Sequence, residues 1–447
     1  MAEAGVPHGA REGGWLPDLV YTGDKFEAGL AFFADATGRI TRFSRESADL
    51  AAARRLAGHA ALPGLVNAHS HALRRLVRGQ AEAGRIGHLL PPVAVTARLG
   101  AEDVFDVARM VFLEMLLSGV TCVGEFHALH RTEDGASPAD LGREIVRAAH
   151  DVGIRIALLR VAALRDGRGA DAGAMPNGVR GLSADHFIRE TEELRASVER
   201  DFPADEAWVG VAADSLSTVP PEGFKVISAY ARAQRLRLHA HVASSAAEVA
   251  ACVAEHGRTP LALLAELGLV DKRFTAVDAR QLTEDEIRTL GTARAAVCLT
   301  PSAGGDGAPA AGLLAAGAGL AAGTDAAGSA SPLSVVRQSL HADAVVMWHS
   351  ATAAGARSLG ATGGALEVGR PADFFTVSLS DPALAGVEAR FLPGVLLAAL
   401  DRRMIRDVWV GARQRISGGR HLAQGPITGR FIGLQDRLRG TSGAAAG

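Results

Sequence analysis

A chain of 447 residues is too long for one ordinary core and fits a large barrel with a small accessory domain. Hydrophobic residues make up 48% and charged residues 21%, the composition of a compact globular protein rather than a disordered one. A net charge of -2 excludes a basic nucleic-acid face or a polybasic membrane patch, so the expected partner is a small molecule.

The stretch before Trp15 is polar and Gly-rich, without the apolar core of a signal peptide. No run approaches the roughly 18 apolar residues of a membrane span. Cys122, Cys252 and Cys298 are odd in number and far apart, so neither a disulfide framework nor a Cys-x-x-Cys metal site is read from them. These features predict a cytoplasmic protein. Short strands at 19–21 and 29–33, separated by Gly and Asp turns, occupy the region up to residue 60.

From residue 62 the texture changes to strands and helices in alternation. Strands are predicted at 62–68, 120–126, 154–161, 208–213, 236–240, 274–277, 295–299 and 320–323, with helical patterns such as 103–117, 184–199, 223–234 and 245–256 between them. Eight apolar strands with intervening helices define an α/β chain folded as a closed (β/α)8, or TIM, barrel. Strands return at 373–377 and 405–410, and the simplest account pairs them with the N-terminal strands in a small β-sandwich domain. The expected division is residues 1–60 for the first part of that domain, 61–365 for the barrel, and 366–447 for the remainder with a frayed Gly/Ala tail.

The strand ends carry the chemistry. His69 and His71 close the first barrel strand at a spacing of two, which in extended backbone turns both imidazoles to one face. His241 ends the fifth predicted strand and Asp325 follows the eighth. Three imidazoles and one carboxylate at the carboxyl ends of barrel strands form a plausible shell for zinc or ferrous iron, with room for a water. Taken singly, each is an ordinary polar strand-end residue; the metal is favoured because four positions agree. Residues 303–307 are predicted as an active-site loop rather than a phosphate loop, because no Gly-Lys-Ser/Thr follows.

The segment Pro63-Gly64-Leu65-Val66-Asn67-Ala68-His69-Ser70-His71 resembles the first-strand motif of the amidohydrolase superfamily. Gly369-Arg370-Pro371-Ala372-Asp373-Phe374 is similar to that family's return into its small sheet domain. Within the family the chain most resembles the formimidoylglutamate deiminase branch, through Glu125-Phe126-His127-Ala128-Leu129-His130, His239-Ala240-His241 and Gly323-Thr324-Asp325. The resemblance implies one divalent ion, zinc with iron as the alternative, held by His69, His71, His241 and Asp325. It also implies that Asp325 accepts a proton from the attacking water, and that the barrels pair into a homodimer through outer helices.

Other positions depart from that pattern. Ser244 stands where the branch has a proton-shuttling Glu, and Asp278 where it has a His. Asp278 is therefore expected to serve as the replacement proton carrier. Asp214 and Ser217 stand where the branch has a His and an Arg that grips the substrate carboxylate, Ala128 replaces a Tyr, and Arg74 replaces a Gln. With Glu125 and His127 near the mouth, the expected substrate-binding set is Arg74, Glu125, His127, Asp214, Ser217 and Ser244. The expected activity is metal-dependent hydrolysis of a non-peptide C–N bond in a small amidine, guanidine or amide, not in formimidoylglutamate. The competing readings are a metal-binding pseudoenzyme and a non-hydrolytic elimination or cyclisation enzyme of a specialised pathway.

Overall fold

A computed structural model describes residues 13–79, 98–128, 135–165, 183–301, 307–325 and 331–440. Both chain ends build one nine-stranded mixed sheet. Its N-terminal strands are β1 (Gly13–Tyr21), β2 (Phe26–Ala28), β3 (Ala31–Ala34), β4 (Ile40–Ser44) and β5 (Arg54–Pro63). The chain then runs through eight parallel strands. These are β6 (Leu65–Ser70), β7 (Val120–His127), β8 (Arg155–Ala162), β9 (Ala207–Ala213), β10 (Leu238–Val242), β11 (Phe274–Asp278), β12 (Ala296–Leu299) and β13 (Gly319–Ala322). It returns to the mixed sheet as β14 (Phe374–Ser378), β15 (Ile405–Val410), β16 (Arg413–Ser417) and β17 (Arg420–His421). The two ends join where β14 lies antiparallel to β5, with Phe374 opposite Pro63.

The eight parallel strands pair in sequence order, and the ends of the row meet. Ser70 bridges Asp325, and the Asp325 N–H donates to the His69 carbonyl at 3.0 Å. Asn67 fastens the same seam: its amide donates to Thr324 Oγ1 at 2.8 Å, and its Oδ1 accepts from the Thr324 N–H at 3.0 Å. The strands are continuously apolar because helices cover the outside of the barrel while side chains fill the inside. Residues such as Val66, Ala68, Cys122, Leu159, Val277 and Cys298 form the inner cluster, distinct from the layer between strands and helices.

Three elements differ from the predicted ones. The predicted strand at 62–68 is two strands, because the chain leaves the small sheet at Pro63 and enters the barrel at Leu65. Gly64 permits that step: a side chain there would lie 2.1 Å from Thr121 Oγ1. The fifth barrel strand begins at Leu238 and continues past His241. A 17-residue helix, Gln424–Gly440, also occupies the tail. Ile427, Phe431, Leu434 and Leu438 recur on one of its faces and are buried, packing toward the helix Ala101–Leu117. The remainder of the Gly/Ala tail, His130 and residues 303–306 lie outside the described residues.

The barrel and the mixed sheet are pinned by a buried ion pair. Arg155 on β8 donates through Nε to Asp373 Oδ2 at 2.8 Å and through Nη2 to Oδ1 at 3.2 Å. Asp373 Oδ1 also accepts the Gly411 N–H at 2.6 Å, and its backbone carbonyl accepts the Gly64 N–H at 2.9 Å. One residue thus ties the barrel entrance, the third barrel strand and the returning sheet.

Candidate metal centre

The first two imidazoles reach the barrel interior through a break in strand alternation. Val66 and Ala68 face inward, so regular alternation would turn His69 out toward the helices. The ladder with β7 instead skips a residue between Asn67 and Ser70, and this bulge re-aims His69 and His71 into the mouth. Gly323 makes room on the other side of the seam, because a Cβ there would lie 2.4 Å from His69 Cβ. His241 faces inward on β10 by ordinary alternation with Leu238, Ala240 and Val242. Asp325 follows β13 with a left-handed φ of 50°, one of the few non-glycine residues in that region.

The donor atoms converge. His69 Nε2 and His71 Nε2 are 3.1 Å apart, and both lie near Asp325 Oδ1, at 3.6 and 3.5 Å. Ligands held tetrahedrally at zinc distances of about 2.0–2.1 Å have edges of about 3.3 Å, so these spacings suit one small ion. One ring nitrogen of each of His69, His71 and His241 lies within 4.8 Å of the others. Burial keeps both His69 and His71 below the usual imidazole pKa, and Arg74 pushes His71 further down. Both rings are therefore neutral, the form that binds metals.

His241 has a different environment. Its Nδ1–H donates to Asp278 Oδ2 at 2.8 Å, which directs Nε2 toward the cluster. Burial alone would lower its pKa, but Asp278 prevails and raises it to about 9. The Asp278 carboxylate is fully engaged. Its Oδ1 accepts from Arg280 at 3.1 Å and from the Thr300 hydroxyl. Burial opposes its ionisation, yet His241 and Arg280 hold its pKa far below the usual carboxylate range. By strict alternation with the inward Val277, Asp278 would face the helices; its φ of 70° turns it toward His241.

Arg74, on the turn after His71, donates through Nη1 to Asp325 Oδ1 at 2.7 Å. Burial would raise the Asp325 pKa, but Arg74 first, then His69 and His71, hold it well below the usual range. Arg74 Nε is buried without a hydrogen-bond partner among the described residues.

The structure therefore brings together His69, His71, His241, Asp325, Asp278 and Arg74. Asp214 lies just beside them, its carbonyl accepting the His241 N–H at 3.2 Å and its carboxylate accepting the Thr218 hydroxyl at 3.1 Å. Ser217 pairs with the Ser215 hydroxyl at 2.6 Å. The Ser244 hydroxyl is buried without a hydrogen-bond partner among the described residues, while its N–H donates to Glu248 at 2.7 Å.

Glu125 and His127 do not line the mouth, which corrects the expectation from their sequence position. On β7 the inward residue is Phe126, so its neighbours face the opposite side. Glu125 accepts the Ala72 N–H at 2.6 Å in full burial, which pushes its pKa up to about 8. His127 Nε2 meets the Pro138 carbonyl at 3.3 Å, at the start of an outer helix. Phe126 itself was missed. Its ring lies 4.1, 5.6 and 5.7 Å from those of His69, His71 and His241, making it the apolar floor of the cluster. Period-two alternation from Cys122 would have found it. His239 is a core histidine whose Nε2 meets the Ser358 carbonyl at 3.0 Å.

The carboxyl ends of a parallel eight-stranded barrel are where such folds place their chemistry, and here they gather imidazoles and a carboxylate that could hold a metal ion. Residues 60–413 match the amidohydrolase family, and the chain belongs to it. A formimidoylglutamate deiminase of Pseudomonas aeruginosa is 34% identical over 427 residues, covering 88% of this chain and 92% of that protein. A 5'-deoxyadenosine deaminase of Methanospirillum hungatei is 28% identical over 73% of this chain and 72% of its own length. Among solved structures, a zinc-bound adenosine deaminase from Xanthomonas campestris superposes with a TM-score of 0.79 at 24% identity, over 95% of this chain and 98% of that one. An atrazine chlorohydrolase from Arthrobacter aurescens complexed with zinc gives 0.82 at 23% identity, over 94% and 99%. The chain is accordingly a hydrolase of C–N bonds other than peptide bonds. Among the described residues no helix is long and apolar enough to cross a membrane.

Proposed function

We propose that this chain is a mononuclear deiminase or deaminase that hydrolyses a C–N bond in a small amidine, guanidine or amide. The observation that carries this reading is the convergence of two imidazole nitrogens and one carboxylate oxygen at 3.1–3.6 Å. His69, His71, His241 and Asp325 would hold the ion. Zinc is the first choice, since the Xanthomonas and Arthrobacter proteins contain it, and the same donor set accepts iron. Such an ion, when bound, lowers the pKa of water toward neutrality and polarises the carbon under attack.

The chain's own residues supply the rest. Arg74, His69 and His71 all approach Oδ1 of Asp325, which leaves Oδ2 to take the proton of the attacking water. As the C–O bond forms and the C–N bond breaks, Asp325 passes that proton to the leaving nitrogen. Arg74 fixes the carboxylate, and its buried Nε–H is a donor for a substrate oxygen. Asp278 orients His241 rather than carrying protons, because both of its oxygens are already engaged.

Formimidoylglutamate does not suit this mouth. Where a substrate carboxylate would need an arginine stands Ser217, paired with Ser215. Losing such a charge-assisted contact costs about 2–5 kcal/mol. The zinc-reloaded protein is expected to release ammonia from at least one neutral or cationic amidine or guanidine. Its kcat/KM on that compound should exceed that on formimidoylglutamate by about 30-fold or more. Preference for formimidoylglutamate would overturn the substrate assignment. Absence of metal-dependent ammonia or amine release across amidines, guanidines and amides would overturn the activity.

A further inference from the structure

In a parallel barrel the segments entering successive strands share one face, opposite the carboxyl ends that carry the metal centre. On that face Arg237 immediately precedes β10, Lys272 and Arg273 precede β11, and Arg294 precedes β12. Neighbouring strands are about 4.8 Å apart, so these cations form a row along the rim. Arg357, from the helix Ala353–Leu359, and Arg370 face the same cavity of about 950 Å³, a volume that suits a small organic molecule.

The charge in this cavity is not balanced by the chain. Glu367 pairs with Arg370 at 2.6 Å, and Asp271 pairs with Arg232 outside the cavity at 3.1 Å. Among the described residues Arg237, Lys272, Arg273, Arg294 and Arg357 make no ion pair. Arg237 is held in place by donating to the Lys272 carbonyl at 3.0 Å, and Arg357 lies 3.5 Å from His349 Nε2. Burial, then Arg273, lowers the Arg237 pKa, with Asp271 opposing and Arg357 adding to the effect. Burial, then Arg357 and Arg370, lowers that of His349. Like charges thus gather around one cavity without an acidic partner for most of them, and an anion placed among them would supply it.

Part of the remaining wall is apolar, beside hydroxyls such as those of Thr275, Thr352 and Ser358. Leu314, Leu320, Leu366 and Val345 line it, and Val345 is 41% exposed. A cationic rim beside an apolar wall fits a ligand with an anionic end and a flat or apolar end.

We propose that this cavity is a second binding site, for a small organic diphosphate of the nucleoside diphosphate class, on the barrel face opposite the metal centre. Arg237 enters β10 and His241 lies near its far end, four residues on and about 13 Å away in extended backbone, so the two sites are separate. The proposal does not depend on the substrate of the metal centre.

Titration calorimetry of the full-length, metal-loaded protein tests it with ADP, pyrophosphate and adenosine as probes. ADP is expected to bind, pyrophosphate more weakly, and adenosine at least tenfold more weakly than ADP. A double variant R273A/R357A should lose tenfold or more in ADP affinity while keeping its metal content and melting temperature. ADP bound at the metal centre would be insensitive to those two substitutions, so unchanged affinity in the variant overturns the proposal. No binding of ADP or pyrophosphate at millimolar concentration also overturns it. Pyrophosphate binding as tightly as ADP overturns the organic part of the assignment.

Discussion

Asp278→Asn is expected to weaken metal binding by about 10–100-fold while leaving the fold intact, the usual effect of removing a carboxylate behind a ligating histidine. Asp278 Oδ2 accepts the His241 Nδ1–H at 2.8 Å, and Oδ1 is held by Arg280 and Thr300. An amide presents one acceptor and one N–H₂ group. Either orientation sets a donor against His241 or against Arg280, so the imidazole loses its fixed tautomer and direction. Chelator competition reads the affinity directly, and a melting curve reports the fold. If Asp278 were instead the proton carrier, metal affinity would stay unchanged and kcat alone would fall. The measurement therefore separates the two roles that a carboxylate can play at this strand end.

Asp373→Ala is expected to cost about 3–5 kcal/mol of stability, the range for removing one partner of a buried ion pair. The substitution leaves the Arg155 guanidinium, 5% exposed, without its bidentate partner and the Gly411 N–H without its acceptor. Asp205 retains a contact with Arg155 but is itself partly exposed, so it compensates little. Urea denaturation followed by tryptophan fluorescence checks this, because Trp409 stacks on Phe374 at 4.4 Å, next in sequence to the lost carboxylate. A loss below about 1 kcal/mol would show that the contact between barrel and small sheet is held elsewhere.

The barrel was legible because its strands are apolar runs of the right length, separated by helical patterns. The candidate metal-binding residues were legible because His69, His71, His241 and Asp325 each fall at a strand end. What escaped the reading depends on backbone departures that no side-chain pattern announces. The bulge at Asn67–Ser70 turns His69 inward, against the alternation of Val66 and Ala68. The left-handed φ of Asp278 turns an outward position into a partner of His241. Sequence proximity alone puts Glu125 and His127 near the mouth, whereas plain period-two alternation assigns them to the outer face and Phe126 to the inner one. The C-terminal helix was missed although its apolar residues recur at helical spacing, because polar and glycine residues dominate the segment between them.

Elemental analysis of the purified protein, beside His241→Ala, bears most directly on the central claim that three histidines and Asp325 hold one catalytic ion. The expected result is about one zinc or iron per chain in the unaltered protein and loss of that ion in the variant. An unaltered protein that takes up no ion after refilling with zinc or iron, or a variant that keeps a full complement, would contradict the claim.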